Sequence, residues 1–198
     1  ERNFFSEDEL KLLTELAGDI SFALDHLAKA KQLAHVAYYD TLTGLPNRTL
    51  LLERLSQALH TTAQSSSRLV LIIGDVKRFR LINETLGRHA GDELLKQIAV
   101  RLPKNMRNPE NLARIAGDSF ATFLPDIHEL SEVAHRIENL HVEAFQGPFT
   151  VEGQELMVSL SIGIAIYPND GADAEMLFRN AEAALKKAKA SGERYLFY

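Results

Sequence analysis

The 198-residue sequence has no cysteine, which excludes disulfides and thiolate metal sites and leaves a reducing compartment open to it. It has no basic excess either. Its 22 Lys and Arg stand against 27 Asp and Glu, a net charge of −5, which argues against nucleic acid as the partner and confines any polyanion site to a local cluster. Long apolar runs are also missing: the longest, residues 69–73, falls far short of the roughly 20 residues that span a bilayer, so no membrane span is expected. No secretory signal is visible, and a chain opening on Glu1 is expected to be a piece of a longer, cytoplasmic protein.

What is present is material for a core. Apolar residues make up 45% of a length that suits one ordinary domain with an appendage, expected here as a helix over residues 1–36 and a domain over 37–198. Ser6 with Glu9 matches a capping box, in which hydroxyl and carboxylate each satisfy a free backbone donor, and predicts one long helix over residues 6–36. Leu13, Leu16, Ile20, Ala23, Leu27, Ala30 and Ala34 follow one another at alternating three- and four-residue steps. This heptad seam predicts a parallel homodimer through the helix. Packing of the helix on its own domain is the alternative, since Gly18 and the alanines weaken a zipper.

Beyond it, Asn47 is placed to cap a helix running to about residue 63, with Leu51, Leu55 and Leu59 on one face. Residues 68–76 carry an unbroken apolar run, as a strand buried on both faces does, which predicts a central position. A helix is expected over 90–102. Strands at 112–115 and 120–124 flank Gly117-Asp118, a pair suited to a tight hairpin because Gly takes positive φ freely and Asp tolerates it. Residues 128–140 show helical spacing. Residues 141–151 and 156–167 read as strands paired across Glu152-Gly153-Gln154, with Phe145 and Phe149 as strand aromatics. A helix over 172–190 and a short strand at 195–198 close the chain. The expected class is α/β (α+β), a mixed central sheet flanked by helices.

Two segments carry chemistry: Ile73-Gly74-Asp75-Val76-Lys77-Arg78-Phe79 and, 43 residues after Asp75, Ala116-Gly117-Asp118-Ser119-Phe120. Each ends or turns a predicted strand at a carboxylate, and two carboxylates meet the usual protein share of a Mg²⁺ site. Taken singly, Asp75 reads as a solvated strand-end acid, Asp118 as a turn former, and Asn83 and Asp92 as helix caps.

Together with Asp40-Thr41-Leu42-Thr43-Gly44-Leu45-Pro46-Asn47-Arg48, Asn83-Glu84-Thr85-Leu86-Gly87, Gly91-Asp92-Glu93, Arg114, Ser161-Ile162-Gly163-Ile164-Ala165, and Lys189 with Gly192, these segments resemble the GGDEF family in that family's order, over about residues 36–198. The resemblance implies a diguanylate cyclase fold, similar to the palm of polymerases and class III nucleotidyl cyclases. In active relatives two such domains face each other, each holding one GTP, and make cyclic di-GMP and pyrophosphate. By resemblance, Asp75 and Asp118 are the catalytic carboxylates and, with the Val76 carbonyl, the ligands of Mg²⁺ or Mn²⁺. Asn83 and Asp92 would read guanine beside Leu42. The amides of Arg78 and Phe79, with Gly117 and Lys189, would hold the substrate's phosphates.

Four positions depart from the family pattern. Ala116 replaces the signature's first glycine, Ser119 its acidic fourth residue, Lys77 a second Asp beyond the metal Asp, and Glu193 a phosphate-binding Arg. Arg107-Asn108-Pro109-Glu110 stands where product-inhibited relatives carry Arg-x-x-Asp, so Arg107 and Glu110 form either an inhibitory cyclic di-GMP site or a plain surface loop. The expectation is a GTP-binding regulatory module with weak or no cyclase activity. An active diguanylate cyclase and a dimerisation scaffold without nucleotide are the alternatives. The resemblance also implies a GAF sensor before the chain and an EAL phosphodiesterase domain after it.

Overall fold

The computed structural model describes residues 6–65 and 67–198, and within them all side chains except those of residues 7, 27–34, 105, 130 and 140–142. The chain divides into two units, the first ending at Ala37 and the second spanning Tyr38–Tyr198.

The first unit is most of α1 (Glu7–Tyr38). Its start is the expected capping box: the Ser6 amide donates to Glu9 Oε2 at 2.8 Å, and the Glu9 amide to Ser6 Oγ at 3.3 Å. Of the heptad positions, Leu13, Leu16 and Ile20 are each about half exposed, at 47, 50 and 59%. Leu27, Ala30 and Ala34 lie outside the described side chains. No helix among the described residues is long and apolar enough to cross a membrane.

The second unit contains α2 (Arg48–Thr62), β1 (Arg68–Val76), α3 (Phe79–Leu86), α4 (Arg88–Arg101), β2 (Ala113–Ala116), β3 (Ser119–Ile127), α5 (Leu130–Phe145), β4 (Phe149–Val151), β5 (Gln154–Leu156), β6 (Leu160–Tyr167), α6 (Ala174–Ser191) and β7 (Tyr195–Phe197). The main sheet runs β2-β3-β1-β6-β7, antiparallel except for the parallel β6–β7 pair, so it is mixed, with β1 at its centre. Helices cover both faces. Leu51, Leu55 and Leu59 of α2 pack with Leu177, Phe178 and Leu185 of α6 on one side. Leu94, Leu95 and Ile98 of α4 pack with Val133 and Ile137 of α5 on the other. Burial of β1 on both faces follows from its unbroken Leu-Val-Leu-Ile-Ile run.

Three expectations need correction. Residues 141–145 are not a strand: α5 continues to Phe145, because Ile137, Ala144 and Phe145 keep a helical seam on the core. The apolar stretch 156–167 is two strands, since the chain leaves the ladder at Met157–Ser159 and the Ser159 carbonyl accepts instead from the Lys77 amide at 2.8 Å. The pairing expected across Glu152-Gly153-Gln154 is there, but Gln154 is already in β5 opposite Val151, and β4 and β5 form a separate two-stranded sheet. Residues 79–86, to which the sequence pattern assigns no element, form a helix, α3.

Candidate functional site

Asp75 lies one residue before the end of β1, opposite Ser119 of β3 and Ser161 of β6. Directly opposed residues of antiparallel strands share a face, so the three form a row across the sheet on the side of α6. Gly163, two residues along β6 from Ser161, sets how near that helix comes. A β-carbon there would lie 2.2 Å from both the Ala181 carbonyl oxygen and the Leu185 amide nitrogen of α6. One turn past Leu185, Lys189 reaches the row.

The result is a fully engaged carboxylate. The Ser119 hydroxyl donates a short hydrogen bond to Asp75 Oδ1, and Lys189 Nζ donates to Oδ2 at 2.7 Å. Asp75 is 8% exposed. The hydrogen bond to Asp75 holds the Lys189 ammonium above its usual pKa; burial opposes this, and the charges of Asp75 and Asp118 add to it. With the Lys189 side chain 52% exposed, the pair adds only about 0–1 kcal/mol to stability. Its local effect is on charge. A cleft of about 320 Å³ opens beside it, lined by Ile73, Asp75, Ile115, Ser119, Lys186 and Lys189 among others.

Asp118 sits in the two-residue turn that joins β2 to β3, where Gly117 takes φ +48°. The Asp118 carbonyl accepts from the Val76 amide at 3.2 Å, which brings Asp75, Val76 and Asp118 to one place. Burial first, and then the charge of Asp75, push the Asp118 carboxyl above its ordinary pKa. The two acids therefore feel each other. Among the described residues, however, no group of three or more His, Asp or Glu is placed to hold a metal ion. Of the two carboxylates, Asp75 already has a donor on each oxygen. As arranged, the donor set does not fit a divalent ion unless Lys189 leaves.

Arg114 holds the signature turn from behind. Its Nη1 donates to both carboxylate oxygens of Asp40, at 2.8 and 2.9 Å, while Nε and Nη2 donate to the Gly117 carbonyl at 3.0 and 2.7 Å. Asp40 also accepts from the Thr43 amide and hydroxyl. Burial raises the Asp40 carboxyl, but the Thr43 and Arg114 donors outweigh it and leave the pKa below the usual carboxylate value. The motifs contain Asp40 and Arg114, but their spacing carries no sign that the two side chains form a clamp. Only the tertiary contact, 74 residues apart, discloses it.

The remaining expected site residues fall on α3 and α4. Arg78 precedes α3 with φ 59°, and Phe79 begins it, so their amides belong to the helix's first turn, where backbone donors are free. Asn83 lies on α3 against Gly91 of α4, and Asp92 follows on α4, exposed. Leu42, Phe79, Ile82 and Leu86 pack on the same core below them. Lys77 is half-buried, Ala116 exposed, and Glu193 exposed beyond the end of α6. Glu110 accepts from Asn108 Nδ2 and offers its backbone carbonyl to Arg54, whereas Arg107 lines a cavity of about 270 Å³ with Thr122 and Arg136.

The family description diguanylate cyclase, GGDEF domain, matches residues 37–195. Over 174 residues the chain is 37% identical to the bifunctional diguanylate cyclase/cyclic di-GMP phosphodiesterase MucR of Pseudomonas aeruginosa, a match that takes in 87% of this chain and 25% of that protein. The chain thus spans a quarter of that relative's length. The crystal structure of the GGDEF domain of PA1120 (YfiN or TpbB), also from Pseudomonas aeruginosa, superposes with a TM-score of 0.74 at 32% identity, covering 78% of this chain and 97% of that one. In fold, the chain is also like the coiled coil and GGDEF domain of DgcB from Caulobacter crescentus, with a TM-score of 0.78 at 24% identity over 94% and 99% of the two chains. With a match that takes in the strand-bearing unit through Tyr195 and a relative more than one-third identical beside it, this chain belongs to the diguanylate cyclase GGDEF domain family.

Proposed function

We propose that this chain is a GTP-binding regulatory module of cyclic di-GMP signalling whose cyclase turnover is weak or absent. The observation that carries the reading is the state of Asp75, one oxygen held by Ser119 and the other by Lys189. Cyclisation needs that carboxylate free to support charge neutralisation at the attacked phosphate. Guanine recognition makes no such demand on it. Asn83 and Asp92, one on each of two adjacent helices, offer an amide and a carboxylate complementary to the donors and acceptors of guanine.

The half-exposed leucines and isoleucine of α1 favour a homodimer through that helix, and the quarter share of a bifunctional cyclase and phosphodiesterase favours neighbouring sensor and EAL domains. The test is incubation of the concentrated protein with GTP, followed by chromatography for cyclic di-GMP, alongside calorimetry with GTP and ATP. Little or no product, with GTP heat that Asn83→Ala or Asp92→Ala reduces far more than any ATP heat, is the expected result. Rapid product formation would establish the active cyclase instead. Absence of GTP heat would leave a scaffold.

A further inference from the structure

We propose that the Lys189 ammonium is the resident cation of this site, so that the chain binds GTP without a divalent ion. The inference rests on the GTP-binding reading above and adds how the polyphosphate is held. A divalent ion at Asp75 needs a carboxylate oxygen that is not already balanced by positive charge. Here Nζ sits 2.7 Å from Oδ2, and the Ser119 hydroxyl donates to Oδ1, so an arriving dication meets an ammonium on one oxygen and a hydroxyl proton on the other. Mg²⁺ also demands near-octahedral oxygen ligation. Glu182 of α6 lines the same cleft, yet among the described residues no three acids or histidines are grouped to hold a metal ion, and Ser119 contributes a hydroxyl where an acid would add a ligand.

The same residues suit a phosphate chain. An ammonium has three N–H donors, and one of them is committed to Asp75. That leaves two for a ligand in the cleft that Lys189 lines with Ser119, Lys186 and Glu182, where the two lysines outnumber the one glutamate. Lys77 brings a second ammonium to the turn after β1; its amide is fixed on the Ser159 carbonyl, and among the described residues its side chain forms no ion pair. Lys189 stays in place because Gly163 seats α6 against β6. An aspartate and a lysine held together in this way present to a triphosphate what a carboxylate-bound metal presents, a fixed positive charge with a negative counter-charge behind it.

The experiment is isothermal titration calorimetry of the whole chain with GTP, in EDTA and in MgCl₂, for the wild type, Lys189→Ala and Lys189→Arg. The wild type should bind GTP in EDTA within about threefold of its affinity in Mg²⁺, a difference below about 0.7 kcal/mol. Lys189→Ala should weaken binding in EDTA about tenfold and regain much of it when Mg²⁺ is added, while Lys189→Arg should stay close to the wild type. Mn²⁺ binding without nucleotide, followed by electron paramagnetic resonance, gives an independent readout: weak for the wild type, tighter once Lys189→Ala frees Asp75. GTP heat in Mg²⁺ that vanishes in EDTA for the wild type would overturn the inference and leave GTP binding standing. No GTP heat in either buffer would overturn the GTP reading itself.

Discussion

Replacing Gly91 with alanine should separate helix stability from nucleotide recognition. Gly91 lies in the first turns of α4, where alanine is the better helix former by about 1 kcal/mol. A β-carbon at that position, however, would stand 1.9 Å from Asn83 Oδ1 and 3.0 Å from both Asn83 Cγ and Phe79 Cζ. The amide must therefore swing off its seat, at a small cost because it is the end of a flexible side chain. Stability should change by less than about 1 kcal/mol, a shift of a few degrees in Tm for a chain of this size. Recognition should suffer more. Losing one or two hydrogen bonds to guanine, each worth about 1 kcal/mol, weakens GTP roughly 5- to 30-fold. Calorimetry on Gly91→Ala, Asn83→Ala and the double variant completes a cycle in which the double variant should lose no more than Asn83→Ala alone. A full-Tm Gly91→Ala protein with unchanged GTP affinity, or a double variant that loses the sum, would refute the argument that Gly91 acts by seating Asn83.

Arg114→Ala should destabilise the domain by about 2–3 kcal/mol in urea titrations, mainly because the part-buried Asp40 carboxylate loses its charged partner, while the exposed Gly117 carbonyl can turn to water. Since the folded-state pKa of Asp40 is depressed, its contribution is full above the unfolded value and fades as pH falls through the folded one. The penalty of Arg114→Ala should therefore shrink in acid. Asp118→Asn should raise Tm at pH 7 by a few degrees. The folded-state pKa of Asp118 is raised, so its charge costs stability at neutral pH, and the gain should close once acid protonates the wild-type group; a lower Tm at pH 7 would contradict this. Gly163→Ala should cost about 1–3 kcal/mol by overpacking α6 against β6, and in moving α6 it should also release Lys189 from Asp75.

Much of the fold can be read from local signals. The run 69–73 announces a central strand, and Asn47 caps α2 as its side chain predicts, accepting from the Leu50 amide. Where local signals mislead, competing periods are the cause. His141-Val142-Glu143-Ala144 alternates as a strand does while it also continues the helical seam of α5, and the longer element prevails. Helix α3 gave no signal because it is short, buries no residue fully, and starts at Arg78 without a side-chain cap. At the site, the motifs placed Asp75 beside Asp118, but Lys189, 114 residues from Asp75 in sequence, could not be assigned to that carboxylate from spacing. That contact depends on Gly163, whose role is visible only once β6 and α6 lie together.

The sheet order has a consequence for how the domain avoids edge-to-edge strand addition. Both outer strands are short, four residues in β2 and three in β7, while the long apolar strands β1, β3 and β6 all lie inside. During synthesis β1 has no neighbour on its β6 side until residues 160–167 emerge, far later in the chain. Until then five consecutive apolar residues present an open row of amides and carbonyls, the template on which strands from separate molecules add to one another. A nascent or clipped chain ending before Leu160 is thus the form of this protein most exposed to aggregation.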